Sequence, residues 1–182
     1  KVFWGLDYAL SYARHFPAIN WLNSYSLYQA KLDQYMDQAV HSDYSAHRIR
    51  AMALLQEESG LQEIVRLVGR DSLSEADQLK LEVTKSLRED FLQQNAFHDV
   101  DTYCSLEKGY RMLSLILSFY DHAQKGLAEG VYLNELLDMP VRERITRAKN
   151  IPEDELGTFD DILAELEAQV GERIEKGGLV RA

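Results

Sequence analysis

The chain has 182 residues, 46% of them hydrophobic, a net charge of −10 and one cysteine. That is the size of one domain with a modest appendage and enough apolar content for a real core. The acidic balance speaks against nucleic acid as a main partner, because phosphate binding needs clustered Lys and Arg. Cys104 cannot close an internal disulfide, and no apolar run reaches the roughly 18 residues that a bilayer crossing requires.

In chain order, Val2 to Leu6 is a short apolar run that reads as a strand. Opening directly on Lys1-Val2-Phe3-Trp4, with neither an initiator Met nor a basic-then-apolar leader, it looks like the last strand of a sheet. The chain is therefore expected to be a fragment whose Val2, Phe3 and Trp4 have lost their sheet partners. Asp7 can cap a helical turn running to about Arg14. Pro17 forces Phe16 into extended backbone, so His15 to Trp21 reads as a loop rich in aromatics.

From Ser24 the periodicity turns helical. Leu27, Lys31, Leu32, Tyr35, Met36 and Val40 recur at helical spacing, and a second helix is expected from Tyr44 to Glu58. Gly60 should separate it from a stripe of Leu61, Ile64, Val65 and Val68, which Gly69 terminates. Asp71, Ser72, Leu73, Ser74, Glu75, Ala76 and Asp77 form a polar connection, with Ser74 and Asp77 as a loose capping box. The next helix carries Leu79, Val83, Leu87 and Phe91 at steps of four and fades at Gln93-Gln94-Asn95. A non-helical stretch follows, then a strongly apolar helix over Leu106–Ala128 closed by Gly130. Short helices flank Pro140. A last one is expected from Glu153 to Lys176, with Leu156, Phe159, Leu163, Leu166 and Val170 in heptad positions and Gly177-Gly178 at its end. These elements give a mainly α chain, a helical bundle behind a short strand and loop.

No complete catalytic constellation is present. G-x-x-x-x-G-K-[ST] and G-x-G-x-x-G are both missing, so the chain does not cradle phosphates by itself. His98, Asp99, Asp101 and Cys104 lie close in sequence, but so loose a spacing fits solvated or capping side chains better than a metal site. No catalytic residue and no metal ligand is assigned. Cys104 has no base beside it and reads as an inert thiol. The aromatics remain. Phe91 continues an apolar stripe and reads as core. Phe16 and Phe97 fall on loops, where a large ring needs a partner; a planar base or ordinary packing of loop on loop would both serve.

Two stretches carry a resemblance. KVFWGLDYALSYARHFPAINWLNSYSLY, from Lys1 to Tyr28, and LQEIVRLVGRDSLSEADQLKLEVTKSLREDFLQQNAFHDVDTYC, from Leu61 to Cys104, closely resemble the catalytic A subunits of bacterial and archaeal V/A-type rotary ATPases. The likeness weakens after about Pro140. It implies that residues 1–23 are the tail of a nucleotide-binding α/β domain and residues 24–182 a C-terminal helical bundle. It further implies that Phe16 in HFPAIN and Phe97 in QQNAF grip the adenine of ATP or ADP, with Phe91 near the base. Mg2+, the P-loop lysine and the catalytic glutamate would belong to upstream residues, and the chain alone would be inactive. Asp71, Ser72, Leu73, Ser74 and Glu75 fall on the loop that touches the central rotor shaft in related enzymes. The implied partners are the B subunit, which supplies an arginine finger, and the rotor. The implied place is the cytoplasmic head, peripheral to the membrane. The competing reading, from residues alone, is a freestanding helical interaction module with no nucleotide role.

Overall fold

A computed structural model describes residues 1–180, with side chains through residue 177. It is mainly α, as expected, with one two-stranded antiparallel sheet: β1 (Val2–Leu6) and β2 (Ile19–Ser26). The helices are α1 (Tyr8–Tyr12), α2 (Gln29–Ala39), α3 (Tyr44–Val68), α4 (Glu75–Ser86), α5 (Leu106–Ala128), α6 (Leu133–Leu137), α7 (Val141–Thr146) and α8 (Thr158–Val180).

Val2 and Phe3 do have strand partners, which corrects the expectation that they had lost theirs, while Trp4 falls at a bulge in the same strand. Val2 pairs with Ser26 and Phe3 with Tyr25; after a bulge, Gly5 pairs with Asn20 and Leu6 with Ile19. The bulge brings the backbones so close that a Cβ at Gly5 would stand 3.3 Å from that of Asn23. Asp7 then caps α1, accepting from the Ala9 and Leu10 amides, and also takes a hydrogen bond from the Asn20 side chain at 2.8 Å. Helix therefore does not begin at Ser24, because the hairpin holds the chain extended to Ser26 and α2 starts at Gln29.

The glycine at position 60 does not divide a helix either. α3 runs through it for 25 residues. A mid-helix glycine costs about 1 kcal/mol relative to alanine, and the packing of Ala51, Leu54 and Leu55 against the core outweighs that. Gly69, at φ 85°, ends the helix in a conformation that suits glycine alone. Ser74 caps α4 through the Asp77 amide, and Ser105 caps α5 through the Lys108 amide. The last helix starts later than its heptad pattern suggests, because Glu153–Glu155 forms a separate 3-10 turn and leaves Leu156 ahead of α8. The helix also continues past Gly177 to Val180.

The core is built around α5, whose Leu113, Ile116, Leu117 and Tyr120 meet Leu79, Val83 and Leu87 on one side and Phe159, Ile162, Leu166 and Val170 on the other. Leu136 of α6 packs on Gly126 so tightly that a Cβ there would lie 2.9 Å from a Leu136 methyl. Beyond Ser86 the chain widens into a π-helical turn, Leu87–Leu92, before turning extended at Gln93. That turn leads directly into the region of interest.

Candidate functional site

Three segments meet at the end of the π-helical turn. The first is the loop after α1. Arg14 takes a left-handed φ of 58°, and the Phe16–Pro17 peptide bond is cis. His15, the sole buried residue among positions 1–50, anchors this loop. Its ring nitrogens lie 3.0 Å from the Arg88 carbonyl and 3.2 Å from the Pro17 carbonyl, and the ring lies against Trp21. The Arg88 carbonyl also accepts from the Gln93 amide, so one oxygen joins the loop to the helix end. Arg88 itself forms an ion pair with the buried Glu58 of α3, fixing the turn to the bundle.

The second segment is the turn after Leu92. The Gln94 amide donates to the Phe16 carbonyl at 2.7 Å, joining the two loops backbone to backbone. Asn95 donates its amide to the Asp101 carboxylate at 2.6 Å, and its own side-chain oxygen accepts from the Phe97 amide at 3.1 Å. The Thr102 hydroxyl donates to the Ala96 carbonyl, and His98 Nδ1 accepts from the Val100 and Asp101 amides. The loop is thus held from within, and the Phe97 ring stands 98% exposed at its tip. A phenyl ring so placed forgoes about 2 kcal/mol of burial.

The third segment is the 3-10 turn Ala148–Asn150. Lys149 donates to the Glu89 carbonyl at 2.9 Å, while its own carbonyl accepts from the buried Lys108 ammonium at 2.8 Å.

Together they line an open cleft of about 640 Å³, bordered by Arg14, Phe16, Gln93 to His98, Asp101, Lys149 and Asn150. Phe16 and Phe97 therefore border the same cleft. Phe91 does not join them. It is half-buried and faces a separate apolar pocket of about 160 Å³ with Trp21, Tyr44, Leu55, Leu87 and Leu113, packed against the core as its stripe position suggests. Sequence reasoning missed His15, Lys149 and Asn150, which no local pattern marks. It also passed over Gln94, whose role lies in its bonds rather than its spacing.

The rest of the 93–105 stretch is occupied structurally. Asp101 is buried and accepts from the Asn95 amide, and the half-buried His98 accepts from two amides of its own turn. Among the described residues no three His, Cys, Asp or Glu side chains are placed to hold a metal ion. Partial desolvation pushes the pKa of the Cys104 thiol up, although the residue is exposed at the surface.

Asp71, Ser72, Leu73, Ser74 and Glu75 lie at the other end of α4 from the cleft. The 12 residues of that helix put about 18 Å between the two ends. Leu73 is half-buried and the other four are exposed. Glu75 accepts from the Leu133 amide at 3.1 Å, and Ser72 donates to the Gly69 carbonyl at 2.7 Å. The loop is a structured corner between α3 and α4. Among the described residues, no helix is long and apolar enough to cross a membrane.

Residues 33–137 match the family described as the C-terminal domain of V and A type ATP synthase. Over all 182 residues the chain is 63% identical to a protein of Clostridium botulinum (strain Langeland) and 60% identical to one of Clostridium perfringens (strain 13), each named V-type ATP synthase alpha chain. In both cases the alignment covers the whole of this chain and 31% of the relative. The chain spans about a third of the length of the curated relatives it matches.

Proposed function

The chain belongs to the V and A type ATP synthase C-terminal domain family, and from that premise we propose that its cleft receives the adenine of ATP or ADP in the catalytic subunit of an ion-translocating rotary ATPase. One observation carries the reading: the hydrogen bond from the Gln94 amide to the Phe16 carbonyl, which draws two aromatic loops onto one cleft, where the Phe97 ring stands exposed. Two exposed rings on the border of one cleft are suited to stacking on a planar base, a contact worth about 1–3 kcal/mol.

Residues 1–23 are then the tail of a nucleotide-binding domain, and residues 24–182 are the bundle attached to it. The exposure of Val2, Phe3, Trp4, Leu6 and Tyr8 supports this, since a surface so apolar suits further packing. In the full-length subunit Mg2+ and the phosphates belong to upstream residues. The sequence has no phosphate-cradling glycine motif, so the isolated chain hydrolyses no ATP. The B subunit and the rotor are its partners, in a head peripheral to the membrane. The exposed corner at Asp71 to Glu75 touches the rotor, and nucleotide-dependent tilting of the bundle moves that corner.

In the full-length subunit within its assembled complex, Phe97→Ala should raise KM for ATP about 10-fold or more while kcat is kept, because stacking is felt alike in ground and transition states. A fall in kcat with KM untouched would place the base elsewhere. Replacing Leu73 and Glu75 together should lower the number of ions moved per ATP with KM unchanged. An unaltered ratio would make the corner a purely structural turn.

A further inference from the structure

Gln94 makes two different connections at once. Its main-chain N–H donates to the Phe16 carbonyl at 2.7 Å. Its side-chain Nε2 donates to the Asp101 carbonyl at 2.8 Å and to the Thr102 carbonyl at 3.1 Å. A carboxamide has two N–H donors, and both are committed to backbone oxygens at the far limb of the Phe97 loop. The side chain therefore has no N–H left to read the edge of a base, although the residue borders the cleft.

The mechanical result is specific. The loop from Asn95 to Asp101 carries Phe97 at its tip, and its two limbs are tied together by the Gln94 amide group from one side and the Asn95–Asp101 bond from the other. The same residue's backbone ties the base of that loop to Phe16. The Gln94 side chain thus sets the opening of the Phe97 loop together with the Asn95–Asp101 and Thr102–Ala96 bonds, and its peptide ties the base of that loop to the Phe16 carbonyl.

We propose that Gln94 is a positioning residue that fixes the gap between the Phe16 and Phe97 rings by clamping both loops, so that it governs nucleotide affinity through Phe97 without touching the nucleotide. This rests on the adenine reading of the cleft. The clamp stores the geometry in bonds that exist before the base arrives, which lowers the ordering cost of binding.

The test uses the full-length subunit in its assembled complex and steady-state ATP hydrolysis, with four proteins: wild type, Phe97→Ala, Gln94→Met, and the double variant. Methionine keeps the side chain's length and loses its donors. Gln94→Met should raise KM for ATP up to about the factor seen for Phe97→Ala, with kcat kept. The double variant should be no worse than Phe97→Ala alone, because the clamp acts only through that ring. A second variant, Gln94→Glu, places a carboxylate against two carbonyl oxygens. Protonation returns one donor, so the ratio of its KM to that of wild type should shrink as pH is lowered toward about 5.5.

If Phe97→Ala leaves KM unchanged, the adenine reading falls and the clamp with it. If Phe97→Ala raises KM but Gln94→Met does not, or if the two effects multiply, the clamp alone is overturned. A pH-independent KM ratio for Gln94→Glu also overturns it, and this variant decides the matter where Gln94→Met fails to assemble.

Discussion

The first fifty residues and the helix α5 are held in place by opposite means. α5 buries eleven of its residues, most of them apolar. Across residues 1–50 His15 alone is buried. The N-terminal segment coheres through directed bonds instead: the β1–β2 ladder, Asp7 on α1 and Asn20, and His15 on the Arg88 carbonyl. Hydrophobic burial is additive and indifferent to direction, whereas hydrogen bonds specify position and contribute about 1 kcal/mol each. The bundle therefore supplies the stability and the N-terminal segment supplies placement, with the cleft on the seam between them. Such a segment opens locally well before the bundle unfolds.

The bundle side of that contrast is tested by Leu136→Ala on the chain of residues 1–182. Leu136 is fully buried over Gly126, and its loss should cost about 4 kcal/mol in denaturant unfolding. In that background Gly126→Ala should be far better tolerated than in wild type, since the methyl it would meet at 2.9 Å is gone. Equal costs in both backgrounds would show that helix backbone, rather than Leu136, keeps position 126 small.

A smaller effect is expected where the two regions meet, at Tyr110 of α5. Its hydroxyl donates to Asp43 at 2.8 Å, and its ring stacks with those of His41 and His47. Burial, then the bond to Asp43, pushes the Tyr110 pKa up to about 12. A raised folded-state pKa stabilises fully below the unfolded value of about 10 and is lost as pH climbs through about 12. Asp43 has the reverse sign. Burial would raise its pKa, but the bonds from Tyr110 and His41 outweigh that and hold it low, so its contribution is present above about pH 4 and lost below. Tyr110→Phe should cost about 1 kcal/mol at pH 8, and its deficit against wild type should vanish toward pH 12. A deficit that stays constant across that range would remove the Tyr110–Asp43 bond from the account.

The smallest effect is expected from the largest side chain. Trp4 is 67% exposed, and Trp4→Ser should change the stability of this chain by no more than about 0.5 kcal/mol. A loss above about 1 kcal/mol would mean that the hairpin is part of the bundle's cooperative unit.

The same contrast decided what could be read from sequence. α5 and the stripe of α4 were legible because burial on one side of a helix writes a period of 3.6 into the residues. Gly69 and Gly130, both at φ 85°, marked helix ends correctly. β2 was not legible, because Ile19 to Ser26 is extended by pairing with β1, a contact that no local pattern records. Gly60 misled for a related reason, since packing elsewhere along α3 overrides a local preference. Phe16 and Phe97 were singled out as loop rings needing a partner, but their meeting depends on the backbone of Gln94 and the ring of His15. Phe91 shows the converse: its stripe position alone placed it correctly against the core.

The span of the bonds around the cleft also sets an order of assembly. The contacts that shape the Phe97 loop reach no further than eight residues along the chain and close at little entropic cost. The bond from His15 to Arg88 spans 73 residues and requires α3, α4 and the π-helical turn to be in place first. The rim bearing Phe97 is thus organised early, and the wall bearing Phe16 arrives last. A half-folded chain presents a shaped Phe97 loop without the Phe16 wall, so a closed cleft marks that α3, α4, the π-helical turn and the N-terminal loop are all in place.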